Sequence, residues 1–193
     1  MFPDLHFKSG DSLHALLSPD FVHERLFEPF EISPGVVLRP GEYRFSRWMN
    51  NVATAGKRRL QGQVRWTFGT YWSGHADELQ VSLTFKLPPR FIFNTSMNQT
   101  NARLPEGHFI ARILGSQLNY SASPFLTFSN LIQYDNRSRN LSWQSRIRWT
   151  MQPGNDLFFV VNQGWIHDMD HRRFRFSPHD TQLSTKVQYT LRL

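Results

Sequence analysis

Residues 140–165 have the sequence NLSWQSRIRWTMQPGNDLFFVVNQGW, and this stretch decides the fold. In its first half apolar and polar side chains alternate, and the apolar row consists of Leu141, Trp143, Ile147, Trp149 and Met151. Successive side chains of a β-strand point to opposite faces of the sheet, so the alternation predicts a strand with one apolar and one polar face. Turn-forming residues follow at 152–156, and residues 157–165 are expected to return as a second strand. The stretch therefore predicts an amphipathic β-hairpin.

The same alternation recurs in three other segments, at residues 60–72, 79–87 and 183–193. In all four segments the apolar row carries no charged residue. The opposite rows hold the basic residues Arg65, Lys86, Arg146, Arg148, Lys186 and Arg192. No window shows a convincing helical periodicity, and turn-forming residues separate the segments. The pattern predicts an all-β chain that folds as an antiparallel up-and-down meander of about 10–12 strands.

The breaks between the predicted strands alternate in length along the chain. Short turns lie at residues 9–11, 55–57, 87–89, 121–124 and 152–155. Longer breaks lie at residues 32–42, 73–77, 103–107, 135–140 and 168–180. Bacterial outer-membrane barrels have short periplasmic turns at one end and longer external loops at the other. We therefore expect the turn at 152–155 to be periplasmic and the loop at 168–180 to be external.

Composition excludes several classes of protein. The 193 residues include no cysteine, so the chain has neither disulfides nor a thiolate site. No run approaches the 18 or so apolar residues of a transmembrane helix. The net charge is +7, but the basic residues are dispersed and the compact basic runs, at residues 57–59 and 172–173, lie at predicted turns. A nucleic-acid partner is therefore not expected, because such a site needs a basic patch on one face.

The apolar rows would form the core of a soluble protein or the lipid-facing wall of a membrane barrel. Length favours the wall, since the predicted strands are longer than typical globular ones. Bulky amphipathic rings, as in interfacial girdles, occur at Trp66, Trp72, Trp143, Trp149 and Trp165. We expect a Gram-negative outer-membrane location, with lipid and the barrel-assembly machinery as partners. A soluble β-barrel or sandwich that binds an apolar or glycan ligand is the alternative.

The end of the sequence also has the form of an outer-membrane strand. Val187, Tyr189, Leu191 and Leu193 alternate with polar residues up to the last position. Outer-membrane barrels end on a similar amphipathic strand, which an aromatic residue usually closes; Leu193 departs from that pattern. The expected strands number about eleven, including weakly alternating ones at residues 13–30, 43–54 and 108–121. Because single-chain bacterial barrels have even strand numbers, we expect either that the chain is the C-terminal part of a longer protein or that the true count differs from eleven by one.

Three motifs resemble the C-terminal region of domain-of-unknown-function family 5916. They are residues 24–45 (ERLFEPFEISPGVVLRPGEYRF), 123–149 (SPFLTFSNLIQYDNRSRNLSWQSRIRW) and 153–165 (PGNDLFFVVNQGW). Members look like outer-membrane proteins in which a carbohydrate-binding-like module precedes a barrel. The resemblance implies that residues 1–193 are a single C-terminal β-barrel domain that anchors, or forms a pore for, a carbohydrate-recognising protein. The non-catalytic part of a glycan-active hydrolase is a further alternative.

Catalytic and metal sites are weakly indicated at best. The loop residues His167, Asp168, Asp170 and His171 combine imidazoles with carboxylates, which bind divalent cations. Their spacing matches no known ligand pattern, and a solvated external loop explains them equally well. Scattered Ser, His and Asp residues form no catalytic constellation, and the resemblance supplies no catalytic residues. We therefore expect neither catalysis nor a cofactor.

The basic row is the stronger functional lead. If the sheet closes into a barrel, its six Arg and Lys residues line the lumen, and rings of such residues favour anions. A glycan or an anionic solute is then the expected ligand. Alternatively, each basic side chain pairs with a carboxylate across the lumen, and the interior is a polar plug.

Overall fold

A computed structural model describes residues 4–15, 19–168 and 175–190, and these form fourteen β-strands. The strands are β1 (Asp4–His6), β2 (Ser12–Ala15), β3 (Asp20–Leu26), β4 (Phe30–Ser33), β5 (Val36–Leu38), β6 (Gly41–Ala53), β7 (Leu60–Tyr71), β8 (Gly74–Leu87), β9 (Phe91–Leu104), β10 (Gly107–Ser123), β11 (Leu126–Asp135), β12 (Asn140–Gln152), β13 (Asn155–Asp168) and β14 (Arg175–Gln188). No helix in these ranges is long and apolar enough to cross a membrane.

Twelve strands form one sheet in the order β1-β2-β6-β7-β8-β9-β10-β11-β12-β13-β14, with β3 beside β6. From β6 to β14 each strand is bonded to the next strand in sequence, which is an up-and-down meander. The predicted all-β fold and strand number are thus confirmed. Over the described residues the path runs from β1 to β14 and does not close into a barrel.

The prediction of one strand over residues 13–30 is wrong. Both β2 and β3 pair with β6, but Ala15 pairs with Asn50 and Asp20 with Arg47, so five positions on one side match three on the other. Pro19, which has no N–H to donate to a ladder, lies directly before β3. After Leu26, residues 27–29 are not in a strand, and Phe30 begins β4 of the separate sheet.

The predicted loop lengths are also partly wrong. Only Trp72 and Ser73 separate β7 from β8, and only two residues separate β9 from β10, where breaks at 73–77 and 103–107 were expected. Residues 74–78 look like a loop in sequence because both faces of the strand carry polar side chains there. The break expected at 32–42 contains most of the separate hairpin β4–β5.

The chain divides into two compact units. The first comprises Met1–Leu83 and Ser96–Ile113, and the second comprises Thr84–Thr95 and Leu114–Leu193. The first unit has a buried core made by the β4–β5 hairpin and the adjoining ends of β8, β9 and β10. Its members are Val36, Leu38, Ala76, Ala102, Leu104 and Phe109.

An aromatic cluster surrounds this core. The Trp72 ring lies 6.2 Å from Phe30, 5.2 Å from Tyr43 and 5.7 Å from Phe45, measured between ring centroids. Alternation in residues 60–72 predicts Trp72 on the same face as Val64, Trp66 and Phe68. Trp72 lies instead in the turn after β7, within this cluster. Its positive φ of 50° turns the backbone at that point.

Candidate functional site

The second unit has an apolar face. Cross-strand pairing aligns Phe128, Ile147 and Phe159 in one row. Further rows on the same face contain Leu126, Trp149, Leu157 and Val187, then Tyr134, Leu141 and Trp165, then Ile132 and Trp143. Side chains that face each other across a ladder lie on one side of the sheet. The apolar row predicted for β12 thus continues onto its neighbouring strands, where Asn130, Gln163, Thr181 and Thr185 also lie on this face.

This apolar face is exposed. Ile132 and Trp149 are each 49% exposed, and Leu183 is 73% exposed. In the described part of the second unit no apolar residue is buried, and Asp156 is the one residue that is. A soluble domain places such side chains in a core, because burying one Leu or Phe contributes about 1.5–3 kcal/mol. The described residues of this unit supply no such core.

The opposite face of the second unit carries a hydrogen-bonded ladder of amides. Gln144 in β12 donates from Nε2 to Oδ1 of Asn162 in β13, at 2.8 Å. Asn162 in turn donates from Nδ2 to Oε1 of Gln182 in β14, at 3.4 Å. Three successive strands are therefore connected by side chains that offer both donors and acceptors.

Arg148 and Asp156 form an ion pair at one end of this polar face. Nη2 of Arg148 lies 2.8 Å from the Asp156 carboxylate, which also accepts a hydrogen bond from Oγ1 of Thr150. The Arg148 side chain is 50% exposed, whereas that of Asp156 is 8% exposed. Arg148 is thus paired with a carboxylate on the neighbouring strand β13.

The other predicted lumen residues are distributed over both units. In the second, Arg146 pairs with Ser129 and Lys186 with Phe158, so that both lie on the polar face with Arg148. Lys86 follows Phe85 in β8 and lies on the side opposite to it. Arg65 belongs to the first unit, and Arg192 lies outside the described residues.

The first unit has the same division into two faces. Leu13, Val52 and Val64 align across β2, β6 and β7, and Trp66 and Phe68 continue this apolar row. Val64 is 44% and Trp66 45% exposed. On the opposite face Asn51 pairs with Arg65, and Gln63 donates from Nε2 to Oδ1 of Asn51 at 2.7 Å. The buried core lies on this second side. Arg47, on the same face of β6 as Asn51, bonds Glu78, which shares a face of β8 with the buried Ala76.

A polar recess opens on this face of the first unit, with a volume of about 170 Å³. Its polar lining consists of Gln63, Arg65, Gln80, Ser82, Ser96 and Asn98. The Nε atom of Arg65 is buried and has no hydrogen-bond partner among the described residues. The recess is therefore lined by one cationic side chain together with amide and hydroxyl groups.

Arg47, which sequence reasoning missed, is the most enclosed charge in the first unit, with 7% exposure. Its guanidinium donates to the carbonyl oxygen of Ala76 at 2.8 Å and to Oε1 of Glu78 at 2.9 Å, and it lies 5.2 Å from the Tyr71 ring centroid. In sequence it belongs to a weakly alternating strand. The available signal was Gly69, since glycine inside a strand marks a close approach.

The weak metal candidates are not brought together in the part of the chain that can be described. The His167 ring packs on Phe176 with 5.3 Å between centroids. Asp170 and His171 lie outside the described residues, as does the side chain of Asp168. No group of three or more His, Asp or Glu side chains with metal-binding geometry occurs among residues 4–15, 19–168 and 175–190.

The chemistry of the two faces sets what each can contact. The apolar face is mostly hydrocarbon and aromatic, so it suits lipid chains or an apolar partner, although it also carries Asn130, Ser145, Gln163 and Thr181. The polar face offers amides, hydroxyls and guanidinium groups, which bind water, hydroxylated ligands or anions. Comparison of the chain with protein-family models, curated proteins and solved structures finds no match.

Proposed function

We propose that this chain is an outer-membrane β-barrel domain that anchors, or provides a pore for, a carbohydrate-recognising protein. The observation that carries the proposal is the exposed apolar face of the second unit, where no described apolar residue is buried. Contact of such a face with hydrocarbon chains has no unfavourable hydration free energy, whereas contact with water does.

The backbone hydrogen bonding of the sheet is consistent with a hydrocarbon environment. A lipid-exposed sheet must satisfy its N–H and C=O groups internally, and the continuous antiparallel ladder from β6 to β14 does so for its inner strands. Edge strands would leave such groups unpaired in lipid. The proposal therefore requires β1, β3 and β14 to acquire strand partners in the membrane.

The carbohydrate part of the proposal is supported by the family resemblance and by the amide-rich polar faces. Asparagine and glutamine side chains donate and accept at once, which matches sugar hydroxyls. The ladder of Gln144, Asn162 and Gln182 is one such set.

A soluble sandwich would need a second layer over the apolar face. The one separate sheet among the described residues is β4–β5, and it packs on the polar side of the first unit, against Ala76 and Ala102. This arrangement favours the membrane over the soluble alternative.

The absence of cysteine allows a direct test with single introduced cysteines. Ile147→Cys and Val64→Cys probe the apolar face, and their matched controls Gln144→Cys and Gln63→Cys probe the polar face of the same strands. Each variant is labelled with an environment-sensitive fluorophore and reconstituted into phosphatidylcholine vesicles. Quenching is measured with spin-labelled lipid and with aqueous iodide.

We expect lipid quenching at positions 147 and 64 and iodide quenching at positions 144 and 63. If lipid quenches none of the four labels, or if the protein remains in the aqueous phase without detergent, the proposal is wrong. Heat-dependent gel mobility of the reconstituted wild-type chain provides an independent readout of a folded barrel.

A further inference from the structure

Within the part of the chain that the structure describes, the recess of the first unit is lined by polar side chains that make no hydrogen bonds to one another. Asn98, Ser96, Ser82 and Gln80 line it without a side-chain hydrogen bond among the described residues. Gln63 uses one donor on Asn51. These side chains are accessible from solvent, so their donors and acceptors are free to bond another molecule.

Arg65 adds a positive charge to this recess. Arg65 lines the recess, and none of the other lining residues is acidic. Glu78 lies two positions before Gln80 on β8, but its carboxylate is bonded to Arg47 at 2.9 Å. The guanidinium of Arg65 therefore has no counter-ion among the residues that line the recess.

We propose that this recess binds a polyhydroxylated carboxylate, that is, a sugar acid. The carboxylate would accept hydrogen bonds from Arg65, whose planar fork matches carboxylate geometry. The amides of Gln80 and Asn98 and the hydroxyls of Ser82 and Ser96 would bond to the sugar hydroxyls. A volume of about 170 Å³ provides room for several water-sized groups, which suits one monosaccharide residue better than a longer segment.

The inference deepens the proposed function and rests on it only in assuming that this face points away from lipid. Binding is therefore measured on detergent-solubilised full-length chain by titration calorimetry, where membrane insertion plays no part. The probes are D-galacturonate, D-galactose and acetate. They separate recognition of the charged sugar from recognition of hydroxyls alone or of a simple carboxylate.

We expect galacturonate to bind at least about tenfold more tightly than galactose or acetate, because a charge-assisted hydrogen bond adds to the amide contacts. Arg65→Gln should remove this preference, Arg65→Lys should retain part of it, and Asn98→Ala should weaken galacturonate and galactose together. The control Arg112→Gln removes an exposed arginine that bonds Gln99 on the other side of β9, and it should bind as wild type.

Circular dichroism and heat-dependent gel mobility report whether each variant is folded. If Arg65→Gln does not fold, the wild-type comparison of the three probes still decides. Equal binding of galacturonate and galactose, or no binding of either, would overturn the inference. Vesicle insertion without sugar-acid binding refutes the inference alone, and binding without insertion refutes the membrane proposal alone.

Discussion

Arg47 in β6 bonds Glu78 in β8 across the intervening strand, with 2.9 Å between Nη2 and Oε1. On the intervening strand β7, Gly69 pairs with Arg47, and a Cβ atom at position 69 would lie 2.3 Å from the carbonyl oxygen of Ser46. The guanidinium also donates to the carbonyl oxygen of Ala76 in β8 at 2.8 Å. An ion pair thus joins two strands that are not neighbours, at a point where the strand between them carries a glycine.

Removing one partner of this pair should destabilise the protein more than removing both. Arg47→Met is expected to cost about 2–3 kcal/mol, as it leaves the Glu78 carboxylate without its cation. In the double variant Arg47→Met/Glu78→Met part of this cost should disappear. Denaturant unfolding in detergent provides the double-mutant cycle.

The control cycle uses Arg25 and Glu42, whose side chains are 61% and 52% exposed at a separation of 4.0 Å. We expect a coupling energy below about 0.5 kcal/mol there. If the effects at Arg47 and Glu78 simply add, the pair does not contribute as described.

Gly69→Ala should be more harmful than Gly62→Ala in the same strand. A Cβ atom at position 69 would lie 2.3 Å from the carbonyl oxygen of Ser46, and φ there is +138°. At position 62 the nearest atom is a Leu83 side-chain carbon at 3.4 Å. We expect losses of about 2–3 kcal/mol and below about 1 kcal/mol respectively, measured by denaturant unfolding. Similar losses at both positions would contradict the close backbone approach.

The turn before β2 should give the fold an acid-sensitive contact. A hydrogen bond from Ser9 Oγ, another from the Ala55 N–H and the charge of Arg58 hold the pKa of Asp11 below its usual 3.8, although partial burial opposes them. A carboxylate whose pKa is lowered by folding stabilises the protein above its unfolded-state pKa. That contribution is lost as the pH falls through the folded-state pKa.

Asp11→Asn should therefore be less stable than wild type at neutral pH, and the difference should shrink below about pH 4. Thermal unfolding between pH 2 and pH 7 measures it. Asp77→Asn, which removes an exposed carboxylate without a hydrogen bond or ion pair among the described residues, should show no such convergence. A difference between Asp11→Asn and wild type that is constant with pH would exclude this role for Asp11.

Charge selection at the polar face should depend on Asp156. In the full-length protein in planar bilayers, we expect anion-biased conductance if the lumen is open. Asp156→Asn should increase that bias, because Arg148 loses the carboxylate that lies 2.8 Å away. The control Arg148→Gln should decrease it. Cation preference in wild type, or a shift toward cations in Asp156→Asn, would contradict a role of this face in permeation.

Sequence predicted the strands whose alternation is strict. The hairpin at residues 140–165 is the clearest case: β12 and β13 pair over nearly their whole length, and the turn is at Pro153 and Gly154, within the predicted segment. Period-2 alternation is a local property of the chain, so it needs no knowledge of distant partners. For the same reason the basic residues Arg146 and Arg148 were assigned to the polar row that the registers show.

The missed features depend on contacts between distant parts of the sequence. Proline and glycine at Pro34 and Gly35 look like a loop, and the burial of Val36 and Leu38 arises only from strands far along the chain. Likewise, the burial of Arg47 depends on its contacts with Ala76 and Glu78, which lie about thirty positions away in the sequence. Alternation alone does not give the register between two strands that are not connected by a short turn.

The strand order also has a kinetic consequence. From β6 to β14 every partner is the adjacent strand in sequence, so this part of the sheet can assemble hairpin by hairpin with short loop closures. The pairing of β2 with β6 is different, because Ser12 must meet Ala53 across a much longer segment that includes the β4–β5 hairpin. We therefore expect the β1–β3 edge to form after the meander. Variants of this edge should accelerate unfolding while leaving the folding rate unchanged.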